Sequence, residues 1–465
     1  MTRRVRWCIP LLAAGAVGST HCSCERTNDP TEPGPTHQDA SPDMDALDSS
    51  NSDDGVAETQ TPDGEPDGGM AWLNNLAYWK PMPDAKQCEV YSADPTHLPP
   101  AFRTWTDCGT GCQAAPAQAI AGLPTDVVRN PTGVAFLKSD PYVRTYSVLP
   151  GANPNLWVLS RLSDGAVFGA VQFRNWQTCF GYAAFVDSAD VAAIVEPSSG
   201  MRVARFALDS AKPPTWSPCT AVPAIYTTGF AASTFWGLST LAGTVAVADW
   251  LSGTLAPVDT GSVTFSSAAR SDVAVWTTQN GVSKGVVKAY SPTAKNVWTL
   301  VDQPVSNASV VALSPARIYW VTVSGPGWTS GSYENSALWM SELPVGATTV
   351  APTKVADLQA VAGILNLHVG GDHAATIACF PGPDGGLGSG VEACPVLVVS
   401  TSTGKLWKLP SRPGKIFHNV LSVSDQELLL GESNNPSDPA AAQRIDTLVR
   451  LKLDALDALQ NGWTN

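Results

Sequence analysis

Strands closed by a bulky residue and a polar turn recur along this chain at Trp157, Phe206, Trp250, Tyr290, Trp339, Val399 and Leu451, in steps of 49, 44, 40, 49, 60 and 52 residues. A second series, Trp236 in STFWGL, Trp276 in VAVWTT and Trp320 in RIYWVT, runs ahead of it in steps of 40 and 44. No other feature restricts the fold as much. A unit repeated at this period cannot bury its own apolar face and has to stack on its neighbours.

The units are built of short runs rich in Val, Ile, Thr and aromatics, such as SDVAVWTT, GVVKAY and CPVLVVST, separated by Gly, Pro, Ser and Asn turns. That pattern reads as many short strands. The best helical candidate is DPAAAQRIDTLVRLKLDALDAL at 438–459, and TLVRLKLDA inside it alternates well enough to be a strand. About four strands per unit is the size of a propeller blade. Seven anchors therefore predict an all-β chain with a single β-propeller of about seven four-stranded blades, six and eight being kept open. The last unit lacks a strand after LKLDA, so a strand from LNNLAYWKP or FRTWTD is expected to close the ring.

SVVALSPARIYWVTVSG followed by SALWMSELPVGATT resembles the YWTD-like and TolB-like propeller repeats, and VVSTSTGKLWKLP resembles the turn-and-Trp element of quinoprotein propellers. The similarity covers roughly 265–410 and implies a fold without an activity. In such a fold alternate strand residues meet a neighbouring blade, so Trp339, Trp157 and Trp250 are expected to pack between blades. Trp328, in the Gly-rich SGPGWTSGSYENS, is instead a candidate ligand contact.

Charge is unevenly placed. Residues 25–70 hold thirteen acidic side chains and one basic one, without a single aromatic, and are expected to be a disordered acidic linker. The rest of the chain is nearly neutral, which argues against nucleic acid as a partner. The start, MTRRVRWCIPLLAAGAVGSTHCSC, reads as an export signal with three Arg and an apolar run too short to span a bilayer. It resembles a bacterial lipoprotein signal with Cys22 or Cys24 as the lipidated residue. The expected layout is 1–24 signal, 25–70 linker, 71–124 a Cys-containing segment closing the ring, and 125–465 the propeller. The expected location is the bacterial outer membrane, periplasm or cell surface as a lipoprotein, or otherwise secreted, with a monomer whose membrane contact is an N-terminal lipid.

Exported cysteines usually pair. Cys379 and Cys394 flank a turn-rich insertion, and a bridge there would contribute about 3 kcal/mol on the chain-entropy model. Cys179 with Cys219 is a second expected pair, and Cys88, Cys108 and Cys112 share the N-terminal segment, where CGTGC fits no common zinc spacing.

The search for chemistry returns little. GVSKG at 281–285 matches a nucleophile-elbow pattern but leads into a strand, where that elbow needs a helix. HVGGDH offers His368, Asp372 and His373 as ligand contacts, although a hairpin turn at GGD would splay the two imidazoles. No catalytic residue, metal site or cofactor is assigned. The expected function is a non-catalytic binding or scaffold propeller at the cell envelope, taking a protein, peptide or polysaccharide; the alternative is a hydrolase, lyase or oxidoreductase working at the central channel.

Overall fold

A computed structural model describes residues 75–81, 90–117, 128–129, 134–137, 140–148, 155–173, 179–185, 190–197, 202–207, 215–216, 225–231, 234–241, 244–249, 254–260, 263–270, 272–279, 285–303, 306–324, 335–344, 351–359, 363–364, 366–380, 394–434 and 445–463. Its strands form seven separate antiparallel sheets. In five of them, blades 2 to 6, the strands follow one another in chain order from the first to the last. First strands of successive blades pack side by side, Ile225–Ala231 on Val263–Ala269, that strand on Ser306–Leu313, and onward through His368–Gly370 to Ile416–Val423 and Val134–Leu137. The chain is a seven-bladed β-propeller.

Six of the seven bulky anchors fall on the third strand of a blade, and Trp250 lies outside the described residues. Trp236, Trp276 and Trp320 lie on the second strands of blades 3, 4 and 5. The staggered periodicity was therefore the strand order itself.

Period-2 alternation divides each strand between two neighbours. In Arg317–Ser324 of blade 5, Ile318 and Trp320 join Val275, Val287 and Trp298 of blade 4. Their alternates Tyr319, Val321 and Val323 join Ile364, Ala374 and Leu397 of blade 6. In blade 6, Val396 and Val398 face blade 7, whereas Leu397 and Val399 face blade 5. Both faces of a blade are buried, which explains the uninterrupted apolar runs. Blades also approach backbone to backbone: a Cβ on Gly370 of blade 6 would stand 2.0 Å from the Val423 carbonyl oxygen of blade 7, so only glycine fits there.

Ring closure differs from expectation. Blade 7 consists of Ile416–Val423, Glu427–Ser433 and Thr447–Lys452, and the strand completing it is Cys112–Pro116, with Thr106–Gly109 outside that. FRTWTD supplies only the beginning of the outer strand. LNNLAYWKP supplies Trp79–Pro81, which pairs with Val90–Ala93 on the outer edge of blade 1, beyond Val167–Phe173. The N-terminal segment thus adds strands to both blades at the seam. Where it crosses, Arg103 donates from Nη2 to the Ala117 carbonyl (2.9 Å) and from Nη1 to Ser160 Oγ of blade 1 (3.4 Å). Within 438–459 the alternation of TLVRLKLDA prevails over the helical pattern: among the described residues of this stretch the α-helix is Leu456–Leu459, and Thr447–Lys452 is a strand. Ladder pairing to Cys112–Pro116 satisfies more of its backbone than an isolated helix would.

Candidate functional site: two faces of the ring

Strand alternation fixes which connections share a face. Those joining second to third strands emerge together, and they are uneven. Blades 5, 6 and 7 use residues 325–334, 380–395 and 434–446, whereas blade 3 needs only 242–243 and blade 2 only 198–201. Cys379 and Cys394 are disulfide-bonded at the root of the blade 6 connection, as the sequence predicted. Trp328 lies outside the described residues, as do Cys22, Cys24, Cys88 and Cys219 and the side chains of Cys179 and Trp157. The bridge formed by Cys108 is with Cys112. It closes the hairpin whose inner strand completes blade 7, a placement that adjacency in CGTGC favours over a reach to Cys88.

Trp339 answers to its expected role. It opposes Trp320 across the ladder, packs on the blade 4–5 core and donates from Nε1 to Thr322 Oγ1 at 2.9 Å.

The opposite face carries His368, Asp372 and His373, on the first hairpin of blade 6. Its two-residue turn does not throw the imidazoles onto opposite sides of the sheet, contrary to the sequence reading. His368 opposes Ala375 and His373 opposes Gly370, so both point to the blade 7 side, one diagonal register apart. They still do not converge. His373 lies against the Trp407 ring, centroids 5.9 Å apart, and Asp372 is exposed. Among the described residues no group of three or more His, Cys, Asp and Glu could hold a metal ion.

Burial pulls the His368 imidazole down to about 4 from its ordinary 6.5. The unfolded chain therefore takes up this proton first as pH falls. The stabilisation is complete above about pH 6.5 and is lost on the way down to about pH 4. His368→Gln is expected to flatten the dependence of the urea midpoint on pH across that window. Equal slopes for variant and wild type would show that His368 is not the group responsible.

His418, a residue the sequence reading passed over, occupies a bulge in the first strand of blade 7, between Phe417 and Asn419. Its Nε2 is buried and has no partner among the described residues, and burial lowers its pKa against the opposing pull of Asp446. On the adjoining first-strand segment of blade 6, Asn366 donates to the Val420 carbonyl at 2.9 Å and to Asn419 Oδ1 at 3.1 Å, bridging two blades. An isolated His in a strand ladder carries no sequence signal; only the bulge marks it.

No family model matches the sequence, and no curated protein matches it. Solved structures do. An oligogalacturonate lyase in complex with manganese has a TM-score of 0.50 at 10% identity, over 76% of this chain and 98% of that one. The oligogalacturonate lyase of Vibrio parahaemolyticus has 0.48 at 11%, over 75% and 97%. The β-propeller domain of the Trilobed protease from Pyrococcus furiosus has 0.45 at 9%, over 70% and 95%. At such identities the likeness is one of fold alone, and the class of the chain, a β-propeller, rests on its own seven sheets.

Proposed function

We propose that this is an exported binding propeller that recognises a protein, peptide or polysaccharide through the face carrying the long connections of blades 5 to 7. The observation that carries the reading is the Cys379–Cys394 bridge. A disulfide fits an oxidising compartment, and its position ties down the root of the longest of these connections. On the same reading, residues 1–24 direct export, Cys22 or Cys24 takes the lipid, and 25–70 is the spacer. The repeats are of the YWTD-like or TolB-like kind, for which the Tyr319–Trp320 pair opposite Trp339 and Met340 speaks.

Strand directions add an orientation. Val90 opposes Phe173 at the end of the fourth strand of blade 1, and Trp79 opposes Ala93 at the other end. Asn75–Trp79 therefore enters the ring on the face opposite the long connections.

The test is capture from envelope extracts and binding to glycan arrays by the full chain, beside a variant whose 325–334, 381–393 and 435–444 are replaced by short Gly-Ser linkers. Binding that the linkers abolish supports the reading. No binding at any salt, or binding the linkers leave intact, removes it.

A second reading, an enzyme acting at the ring axis, draws on His418. A neutral, enclosed imidazole on an innermost strand is suited to act as a base. It predicts turnover of a uronate oligosaccharide by β-elimination, read as unsaturated product, which His418→Ala abolishes. Absence of turnover with both manganese and chelator tested would set it aside.

A further inference from the structure

A cleft of about 230 Å³ opens at the seam, on the face opposite the long connections, lined by Asp107, Gln113, Glu427, Arg450 and Lys452 over Gly109, Gly111 and Cys112. Its residues come from the closing hairpin and from blade 7, so it exists only because the N-terminal segment completes that blade.

The ladder sets the order of its side chains. Asp107 opposes Gln113, Gln113 opposes Arg450, and Lys452 opposes Glu427, which places all five on one face of one sheet. Arg450 is held in place: Nη2 and Nε reach Glu427 Oε2 at 2.6 and 3.2 Å, and the guanidinium lies 5.2 Å from the centre of the Trp105 ring. Its Nη1 and Glu427 Oε1 have no partner among the described residues, nor have the side chains of Asp107, Gln113 and Lys452.

We infer that this cleft binds a neutral saccharide of one or two rings. Two carboxylates balance two cations, so an anion or a cation gains no net attraction. The lining has no aromatic or aliphatic side chain to hold an apolar ligand. Acceptor, amide and donor stand in a row across two strand spacings, roughly 10 Å. Sugar hydroxyls both donate and accept and are spread around a ring, so one molecule can engage the whole row. The two charges of a free amino acid sit too close together to bridge Asp107 and the cations. With no ring to stack upon, affinity is expected in the millimolar range. The site is independent of the reading proposed for the opposite face and of the ring-axis alternative.

The experiment is ligand-observed NMR titration of the full chain with glucose, galactose, mannose and their disaccharides, with galacturonate and glycylglycine as the charged and zwitterionic probes. Asp107, Gln113 and Lys452 are exposed, so Asp107→Ala and Gln113→Ala should leave the melting temperature unchanged. Saturable binding of a neutral sugar, weakened at least tenfold by each substitution, is the expected result. No saturation by any neutral sugar, binding indifferent to both substitutions, or preference for galacturonate or glycylglycine would each overturn the assignment.

Discussion

Trp320→Ala is expected to destabilise the ring by about 3–5 kcal/mol, the range for emptying a large buried aromatic site. Trp320 is 0% exposed and fills the blade 4–5 interface beside Val275, Val287, Trp298 and Val311. Blades 4 and 5 meet through such contacts and through hydrogen bonds that include Val311 N–H to Ser266 Oγ at 3.1 Å and Arg270 Nη1 to the Ser314 carbonyl at 2.5 Å, and neither sheet can reach across to close the cavity. Two companion variants separate packing from polarity. Trp320 Nε1 is buried with no partner among the described residues. Trp320→Phe therefore removes a desolvated donor whose burial costs about 1–3 kcal/mol, offsetting much of the lost volume. Trp339→Ala should cost less than Trp320→Ala, because Trp339 is partly exposed and its loss frees one hydroxyl, Thr322 Oγ1. Denaturant midpoints check the order. A loss below about 1 kcal/mol for Trp320→Ala would mean that the indole is not what joins these blades.

The same residues show how far the sequence reaches. Trp276 and Trp320 are visible in one dimension because the second strands of blades 4 and 5 each turn a bulky residue onto the preceding blade. Val399 and Leu451 occupy the corresponding third-strand places without an aromatic body, and their period is the only thing that marks them. Closure was harder to read. CQAAP is short, Ala-rich and free of β-branched residues, so its strand character comes from the ladder it joins and from the Cys108–Cys112 bridge. The pair of glycines between those cysteines, Gly109 at φ 129° and Gly111 at φ 69°, is the one local signal of a tight hairpin. Candidate site residues are legible only where a motif is local. His368, Asp372 and His373 could be found together because six consecutive residues hold them. The seam cleft joins Asp107 and Gln113 to Glu427, Arg450 and Lys452 from the far end of the chain, and no window along the sequence contains both sets.

Arg412→Met is expected to cost about 3–5 kcal/mol, as removal of one partner from a buried ion pair does. Glu432 is 0% exposed, at the end of the second strand of blade 7. Both of its carboxylate oxygens are taken by Arg412, Oε1 by Nε at 2.8 Å and Oε2 by Nη2. Arg412 stands in the SRPGK turn that leads from the outer strand of blade 6 to the innermost strand of blade 7, so the pair fixes the path by which the chain re-enters the ring axis. Methionine keeps the aliphatic stem and most of the volume. What it removes is the compensation for a charge that cannot reach water. Arg412→Met combined with Glu432→Leu should regain most of the loss, because a matched apolar pair needs no compensation. A single variant as stable as wild type, or a double variant no better than the single, would show that the carboxylate is solvated by another route and that this turn does not depend on the pair.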